Sequence, residues 1–234
     1  MAPRDFRTRL SRRAARAGVF LTDELSAGLI RYYELLARWN QKINLTSLTD
    51  PDEAIDRLLL EPLVAARYLP SGTVRVLDIG SGGGSPAIPM KLAAPGISLT
   101  MVEVKARKSA FLREACRQLN LDRTQVETAR HEELLARPEL HESHEVVSLR
   151  AVRVESRMLL TLQAFLAPRG IVMLFRGPSG PEVPPLVVPP LEWTATTPLL
   201  ESLRSRLTIL TKRPVGRHAD VPRGTLPSHD VSKN

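Results

Sequence analysis

The chain has 234 residues, of which 43% are hydrophobic and 25% are charged, as expected for a folded globular protein with one well-buried domain and an appended unit. No apolar run approaches the roughly 18 residues that cross a membrane, so we expect no membrane association. The single cysteine excludes an internal disulfide framework and indicates a reducing compartment, by default the cytoplasm.

The formal net charge of +8 favours an anionic partner without proving one. Six arginines fall within the first sixteen residues, and residues 204–234 carry seven basic side chains against two acidic ones. We interpret the N-terminal stretch as a basic arm rather than an organellar transit peptide. Both charged ends are equally compatible with solvated tails and with phosphate contacts.

The first seventy residues are predicted to form the basic arm and a small helical unit. Apolar residues recur at helical spacing over residues 21–40, and Thr22 is positioned to cap that helix. A second helix is predicted to begin at Asp50 and Pro51, with Glu53 completing a capping box, and to run to about residue 67.

The hydrophobic period changes at residue 73, where short β-rich runs begin to alternate with helices. Strands are predicted within residues 73–80, 96–104, 124–129, 145–152 and 170–177, and helices near 88–94, 106–119 and 155–165. This alternation predicts an α/β fold, a Rossmann-like, doubly wound and mostly parallel sheet, over residues 71–215. A proline-rich, extended connection at 178–193 precedes a last strand at 206–213, and residues 216–234 are predicted to be a basic, flexible tail.

A glycine-rich loop follows the first predicted strand in the stretch "VLDIGSGGGSPAIP". In such folds ligands bind beyond the carboxyl ends of the strands, and glycine lets the backbone approach them closely. Glu103 ends the next strand, where an acid meets ribose hydroxyls, so the pattern indicates an adenosine-type cofactor. Ser85 occupies a glycine position of the dinucleotide fingerprint and no Gly-Lys-Ser/Thr follows, which disfavours nicotinamide and Walker-type sites.

The spacing Asp-x-Gly-x-Gly-x-Gly from Asp78 to Gly84 resembles motif I of S-adenosylmethionine-dependent methyltransferases. The blocks "WNQKINLTSLTDPDE", "VEVKARKSAFLREA", "ARHEEL" and "VSLRAV" are similar, in this order, to blocks of the RsmG (GidB) family of 16S rRNA guanine-N7 methyltransferases. The resemblance implies a class I methyltransferase that uses S-adenosylmethionine (SAM) to methylate a guanine in the 530 loop of 16S rRNA. The implied partner is 16S rRNA, the small ribosomal subunit or its assembly intermediate, and we expect a monomer.

The resemblance also implies roles for individual residues. It places Arg150 at the mouth between cofactor and substrate as the catalytic residue. Because Arg150 follows a buried-looking strand, its charge requires an anionic partner. We expect His141 and His144 to be solvated, without a metal site. The implied cofactor-binding residues are Asp78, Gly80, Gly82, Gly84, Ser85, Glu103, His131, Glu132 and Arg150, and the implied RNA-binding residues are Arg57, Arg176 and Arg206.

The chain departs from the family pattern mainly where RNA contacts are expected. Leu58 and Glu61 stand where the family commonly has histidine and aspartate, Ala87 replaces a glycine, and Arg176 replaces a lysine. Two alternatives therefore remain at the level of sequence. One is a SAM-dependent enzyme acting on a small molecule, and the other is a non-catalytic, ribosome-binding relative.

Overall fold

The computed structural model describes residues 3–150, 154–178 and 187–214. Within these ranges the strands form one sheet in the order β3-β2-β1-β4-β5-β7-β6. The strands are β1 (Arg75–Ile79), β2 (Ser98–Val102), β3 (Thr124–Glu127), β4 (His144–Arg150), β5 (Leu166–Arg176), β6 (Leu191–Pro198) and β7 (Arg206–Lys212). Strands β1 to β5 are parallel, whereas β7 is antiparallel to both β5 and β6.

Helices cover both faces of the sheet, as a parallel sheet requires. They are α1 (Pro3–Arg16), α2 (Asp23–Asn40), α3 (Pro51–Ala54), α4 (Glu61–Ala65), α5 (Ala87–Ala93), α6 (Ala106–Gln118) and α7 (Ser156–Phe165). A π-helical turn, Ile55–Leu60, joins α3 to α4. Across the ranges described here, every helix is too short or too polar to span a bilayer.

The local signals in the sequence are confirmed where they were strongest. Thr22 caps α2 by accepting a 3.1 Å hydrogen bond from the Leu25 amide. Asp50 caps α3 in the same way, accepting from the Glu53 amide at 2.7 Å. The predicted strands and crossover helices are all present in the described residues, although residues 151–153 and the predicted tail at 216–234 lie outside them.

Two segments differ from the sequence-based expectation. The basic arm is the helix α1, and its residues Phe6, Leu10 and Ala14 are buried in the main apolar core. The stretch expected to be an extended connection ends in the strand β6, which begins directly after Pro189 and Pro190. Prolines are tolerated there because β6 lies at the edge of the sheet and pairs only with β7.

Helix α2 packs directly against the glycine loop. The hydroxyl of Tyr32, which is fully buried, donates a 2.6 Å hydrogen bond to the Gly83 carbonyl. A Cβ atom added at Gly83 would lie 3.3 Å from a Leu36 methyl group and 3.3 Å from the Leu45 carbonyl. The N-terminal helices therefore form the wall behind the loop.

We expect Tyr32→Phe to lower the free energy of unfolding by about 1–2 kcal/mol, because the Gly83 carbonyl loses its donor. Tyr33→Phe is the matched control, since the Tyr33 ring stacks on Phe6 at 4.3 Å and its hydroxyl makes no hydrogen bond to a described residue. The control should stay within about 0.5 kcal/mol of the parent protein in urea unfolding. Equal stabilities of the two variants would contradict the anchoring role of Tyr32.

Candidate functional site

The glycine loop lies where the strand order of the sheet reverses. Strand β1 lies between β2 and β4, and the chain leaves it at the carboxyl edge, the usual ligand position in doubly wound sheets. The Gly80 and Ser81 amides donate to the Val102 carbonyl at 2.9 and 3.1 Å. The loop thereby bends over the end of β2.

Gly82 and Gly84 serve different purposes within the loop. Both have positive φ angles, 52° and 88°. A Cβ atom at Gly84 would lie 2.5 Å from Ile88 Cδ1, so the absence of a side chain there allows close packing. A Cβ atom at Gly82 would meet only the Gly80 carbonyl, at 3.7 Å. Gly82 therefore presents bare backbone to open space, which is what close approach to a ligand requires.

The Glu103 carboxylate ties the loop to the end of β2. Its Oε2 atom accepts a 2.9 Å hydrogen bond from the Gly82 amide, and its Oε1 atom accepts one of 2.8 Å from the Lys105 amide. An ionised carboxylate accepts about four hydrogen bonds, so each oxygen retains capacity for a further donor. Glu103 is therefore fixed in place and remains able to accept hydroxyl donors from a ribose.

Asp78 is a buried carboxylate with one unused oxygen. Its Oδ1 atom accepts a 2.6 Å hydrogen bond from the Ser148 hydroxyl, whereas Oδ2 is buried without a partner among the described residues. Burial raises the pKa of Asp78 to about 6, and the hydrogen bond from Ser148 and the charge of Arg150 oppose that rise. An orphaned acceptor beside the loop fits a ligand that carries a positive charge.

The anionic partner that Arg150 requires is supplied by the chain itself. Its guanidinium forms an ion pair with the buried Glu61, a residue that the sequence suggested only as a departure from the family pattern. Arg150 Nη1 also donates to the Arg57 carbonyl at 2.7 Å and to the Ser85 hydroxyl at 2.8 Å. The guanidinium carbon lies 4.8 Å from the centre of the Phe175 ring, a cation–π contact.

The π-helical turn explains why backbone carbonyls are free to accept hydrogen bonds from Arg150 and Ser85. The Glu61 amide donates to the Asp56 carbonyl, one residue farther back than in an α-helix. In an α-helix the Glu61 amide would donate to the Arg57 carbonyl, but here it is used by Asp56. The Leu58 carbonyl would accept from residue 62, but Pro62 has no amide hydrogen. Arg150 takes the first carbonyl, and the Ser85 hydroxyl donates to the second at 2.9 Å.

His131 and Glu132 follow β3 on the same edge of the sheet. His131 Nδ1 lies 3.2 Å from a Glu132 carboxylate oxygen, so the two residues predicted to lie beside an adenine contact each other. His131 and Glu132 lie farther from the glycine loop than Glu103 does, because they follow β3, which is separated from β1 by β2.

The predicted RNA-side arginines surround the other flank of the site. The Arg57 side chain pairs loosely with Glu53, at 3.7 Å. Arg176 and Arg206 lie opposite each other across β5 and β7, and Arg206 donates to the Pro178 carbonyl at 3.4 Å. Arg176 Nε is buried without a partner among the residues described, and burial together with Arg206 lowers the pKa of Arg176.

One expectation about the histidines was wrong. His144 is 5% exposed, not solvated, and its Nδ1 atom lies 2.9 Å from the Ser143 hydroxyl. Burial lowers its pKa. Because His144 begins β4, it lies at the edge of the sheet opposite the site. His141 is exposed, as predicted.

Sequence reasoning missed three residues that shape the site, namely Tyr32, Glu61 and Ser148. Each acts through a partner at least 51 positions away along the chain. For Glu61 one signal was present, because a buried arginine at the end of β4 requires a carboxylate. Which carboxylate serves depends on the π-helical turn, which the sequence pattern did not indicate.

The strand order and a glycine loop facing an acid at the end of β2 define the fold of class I SAM-dependent methyltransferases. A SAM-dependent methyltransferase from Aquifex aeolicus shares this fold with a TM-score of 0.53 and 13% identity, over 71% of this chain and 95% of that chain. The family model of GidB, rRNA small subunit methyltransferase G, matches residues 26–183, and the chain belongs to this family.

Curated relatives agree with this assignment. The ribosomal RNA small subunit methyltransferase G of Stenotrophomonas maltophilia (strain K279a) is 34% identical over 188 residues, which cover 75% of this chain and 86% of the relative. The protein of the same name from Xanthomonas axonopodis pv. citri (strain 306) is 35% identical over 180 residues, covering 71% and 82%. The resemblance stated from the sequence blocks is therefore confirmed.

We expect Glu61→Gln to lower the free energy of unfolding by about 3–5 kcal/mol, because it leaves the buried Arg150 charge unpaired. Glu53→Gln removes the partly exposed partner of Arg57 and should cost less than about 1 kcal/mol. Denaturant unfolding of the two variants measures the difference.

The double variant Glu61→Leu/Arg150→Met should be less destabilised than Glu61→Gln, since it removes both charges together. If Glu61→Gln unfolds at the same denaturant concentration as Glu53→Gln, the buried ion pair does not stabilise the fold as we infer.

The raised pKa of Asp78 predicts a pH-dependent stability. The folded pKa of about 6 lies above the ordinary value of 3.8, so the folded state holds this proton more tightly. Stability should therefore fall as the pH rises from about 4 to about 6, by on the order of 3 kcal/mol relative to Asp78→Asn, which cannot titrate there. Parallel pH profiles for the parent protein and Asp78→Asn in urea unfolding would contradict this.

Proposed function

We propose that this chain transfers a methyl group from SAM to N7 of a guanine in the 530 loop of 16S rRNA. The observation that carries the proposal is the bare backbone of Gly82, bonded to Glu103 at the point where the strand order reverses, in a chain of this family. The relatives' names, which specify small-subunit rRNA, support the substrate class.

The residues present fit SAM. Its ribose hydroxyls would donate to Glu103, whose oxygens retain lone pairs, and the backbone at Gly80 and Gly82 would border its methionine and ribose portions. Asp78, with its orphaned Oδ2 atom, suits the positive charge of SAM. His131 and Glu132 would lie beside the adenine. When bound, SAM supplies a methyl group on a positively charged sulfur.

The chemistry demands alignment more than proton transfer. Guanine N7 carries a free lone pair in the neutral base, so no general base is needed before attack. The site must instead hold the base in line with the methyl group and exclude water. Arg150 stays protonated and is fixed by Glu61, Ser85 and a backbone carbonyl, so we assign it to the mouth of the site as a rigid contact rather than a proton carrier.

The geometry also favours a nucleic acid rather than a small-molecule substrate. In paired RNA, N7 lies in a deep, narrow groove that side chains do not read, so the target is an unpaired base. Arg57, Arg176 and Arg206 would contact phosphates near it. Arg176 and Arg206 lie opposite each other across β5 and β7, which concentrates positive charge where a phosphate would bind. Such contacts position RNA without identifying the base.

The departure at Glu61 does not argue for a non-catalytic relative, because it keeps the carboxylate that Arg150 requires. Where the family commonly has aspartate, Glu61 keeps the carboxylate and pairs it with Arg150. Ser85, at the edge of the glycine loop, also remains bonded within the cluster. We propose that the enzyme acts as a cytoplasmic monomer on the small ribosomal subunit or its assembly intermediate.

The test is methylation of 16S rRNA, both naked and in small subunits, with radiolabelled SAM followed by mass mapping of the modified guanine. We expect one N7-methylguanine in the 530 loop. Gly82→Ala should weaken SAM binding at least tenfold in calorimetry, because its methyl group enters the open space beside the loop.

Gly18→Ala is the matched control, since Gly18 also has a positive φ, 63°, and a Cβ atom there meets nothing within 4 Å. It should leave SAM binding unchanged. SAM binding without any methylation of rRNA would overturn the proposed substrate, and no SAM binding by the folded parent protein would overturn the enzyme itself.

A further inference from the structure

Helix α1 carries two arginines whose charges no acidic side chain in the described part of the chain neutralises. Arg12 and Arg16, four residues apart and exposed, form what we call the α1 basic face. Neither has an acidic partner among the described residues. Like charges at this spacing repel each other on a helix by a few tenths of a kcal/mol. A bound anion would relieve that repulsion.

The inward arginines of the same helix behave differently. Arg13 bonds both Asp52 and Asp56, and Arg9 bonds Asp52 and Asp5. These contacts use Arg9 and Arg13 to fasten α1 to α3 and the π-helical turn. The charges of Arg12 and Arg16 are therefore not needed to hold the helix in place.

The helix that carries the α1 basic face is packed firmly against the core. Phe6, Leu10 and Ala14 are buried in the main apolar core, and the Phe6 ring stacks on Tyr33 at 4.3 Å. Arg16 also lines a cavity of about 400 Å³ between α1 and the turn Glu201–Leu203, where Glu201 lies on the wall contributed by that turn. The exposed arginines of α1 are therefore held on a fixed framework, as contacts that position a phosphate backbone require.

Burial of the apolar side of α1 argues for RNA over a membrane. A helix that binds an anionic bilayer inserts an apolar face beneath the headgroups. Here that face is already packed in the core, so only the charged side is available. Phosphates of a nucleic acid need nothing more than that charged side.

The helix is also linked to the site through two consecutive residues of the π-helical turn. Asp56 bonds Arg13 of α1, and the carbonyl of Arg57 accepts from Arg150. The α1 basic face and the mouth of the site therefore belong to one connected helical unit, so an RNA bound at the mouth has a firm surface nearby.

We propose that the α1 basic face binds the sugar-phosphate backbone of the RNA substrate. This face lies outside residues 26–183, the part of the chain that matches the family model. The inference rests on the proposed function, since it assumes that the substrate is RNA. Binding there supplies affinity and orientation and leaves choice of the base to the site.

The test compares Arg12→Gln/Arg16→Gln with a charge-matched control, Arg117→Gln/Arg169→Gln. Arg117 lies in the last turn of α6, where it pairs with Glu114, and Arg169 lies near the start of β5. Both control residues are therefore at the amino ends of the strands, away from the site. Transcribed 16S rRNA is the probe, and its affinity is measured at several salt concentrations. Each phosphate contact contributes about 0.7–0.9 to the log–log salt slope, so the α1 variant should lose about 1.5 from it.

The control should keep the parent slope. The α1 variant should also keep its SAM affinity, melting temperature and turnover at saturating RNA while its KM for RNA rises. Equal salt slopes for the two variants, with normal methylation by the parent protein, would overturn the α1 proposal alone. So would loss of binding to phosphatidylglycerol vesicles with unchanged RNA affinity. Failure of the parent protein to methylate rRNA would instead remove the proposed function.

Discussion

The buried ion pair between Arg150 and Glu61 is the contact on which the arrangement of the site depends. Two charges withdrawn from water are stable only when their remaining hydrogen-bonding groups are also satisfied. Here the carbonyl of Arg57 and the hydroxyl of Ser85 meet that need. One cluster thereby fixes the end of β4, the edge of the glycine loop and the helical unit relative to one another.

This cluster makes the N-terminal helices part of the site rather than an addition beside it. Tyr32 holds the back of the glycine loop, and the π-helical turn holds Arg150 and Ser85 from the side. The main apolar core runs without a break from Phe6 in α1 to Ile209 in β7. A displacement of α2 or of the π-helical turn would therefore also move Gly83 or Arg150.

The sequence was most informative where a signal was local. Helix caps at Thr22 and Asp50, the alternating strands and the glycine loop all depend on neighbours a few residues apart, and all were predicted correctly. The Glu61 partner of Arg150 lies 89 residues away and depends on a π-helical turn, so no periodicity could predict it. The helix α1 was not predicted because its apolar stripe is narrow, with Phe6, Leu10 and Ala14 set among many arginines.

The buried carboxylate of Asp78 lowers the stability of the protein at neutral pH. Asp78 is buried with one oxygen unused, and its pKa of about 6 means that it is mostly ionised at neutral pH while poorly solvated. A ligand with a positive charge near that oxygen would offset the desolvation and lower the pKa of Asp78. The free protein would then be less stable than its sequence could make it, as is common where a site must wait for its ligand. Asp78 and Arg150 differ in this respect, because Arg150 is neutralised by Glu61, whereas one oxygen of Asp78 has no partner among the described residues.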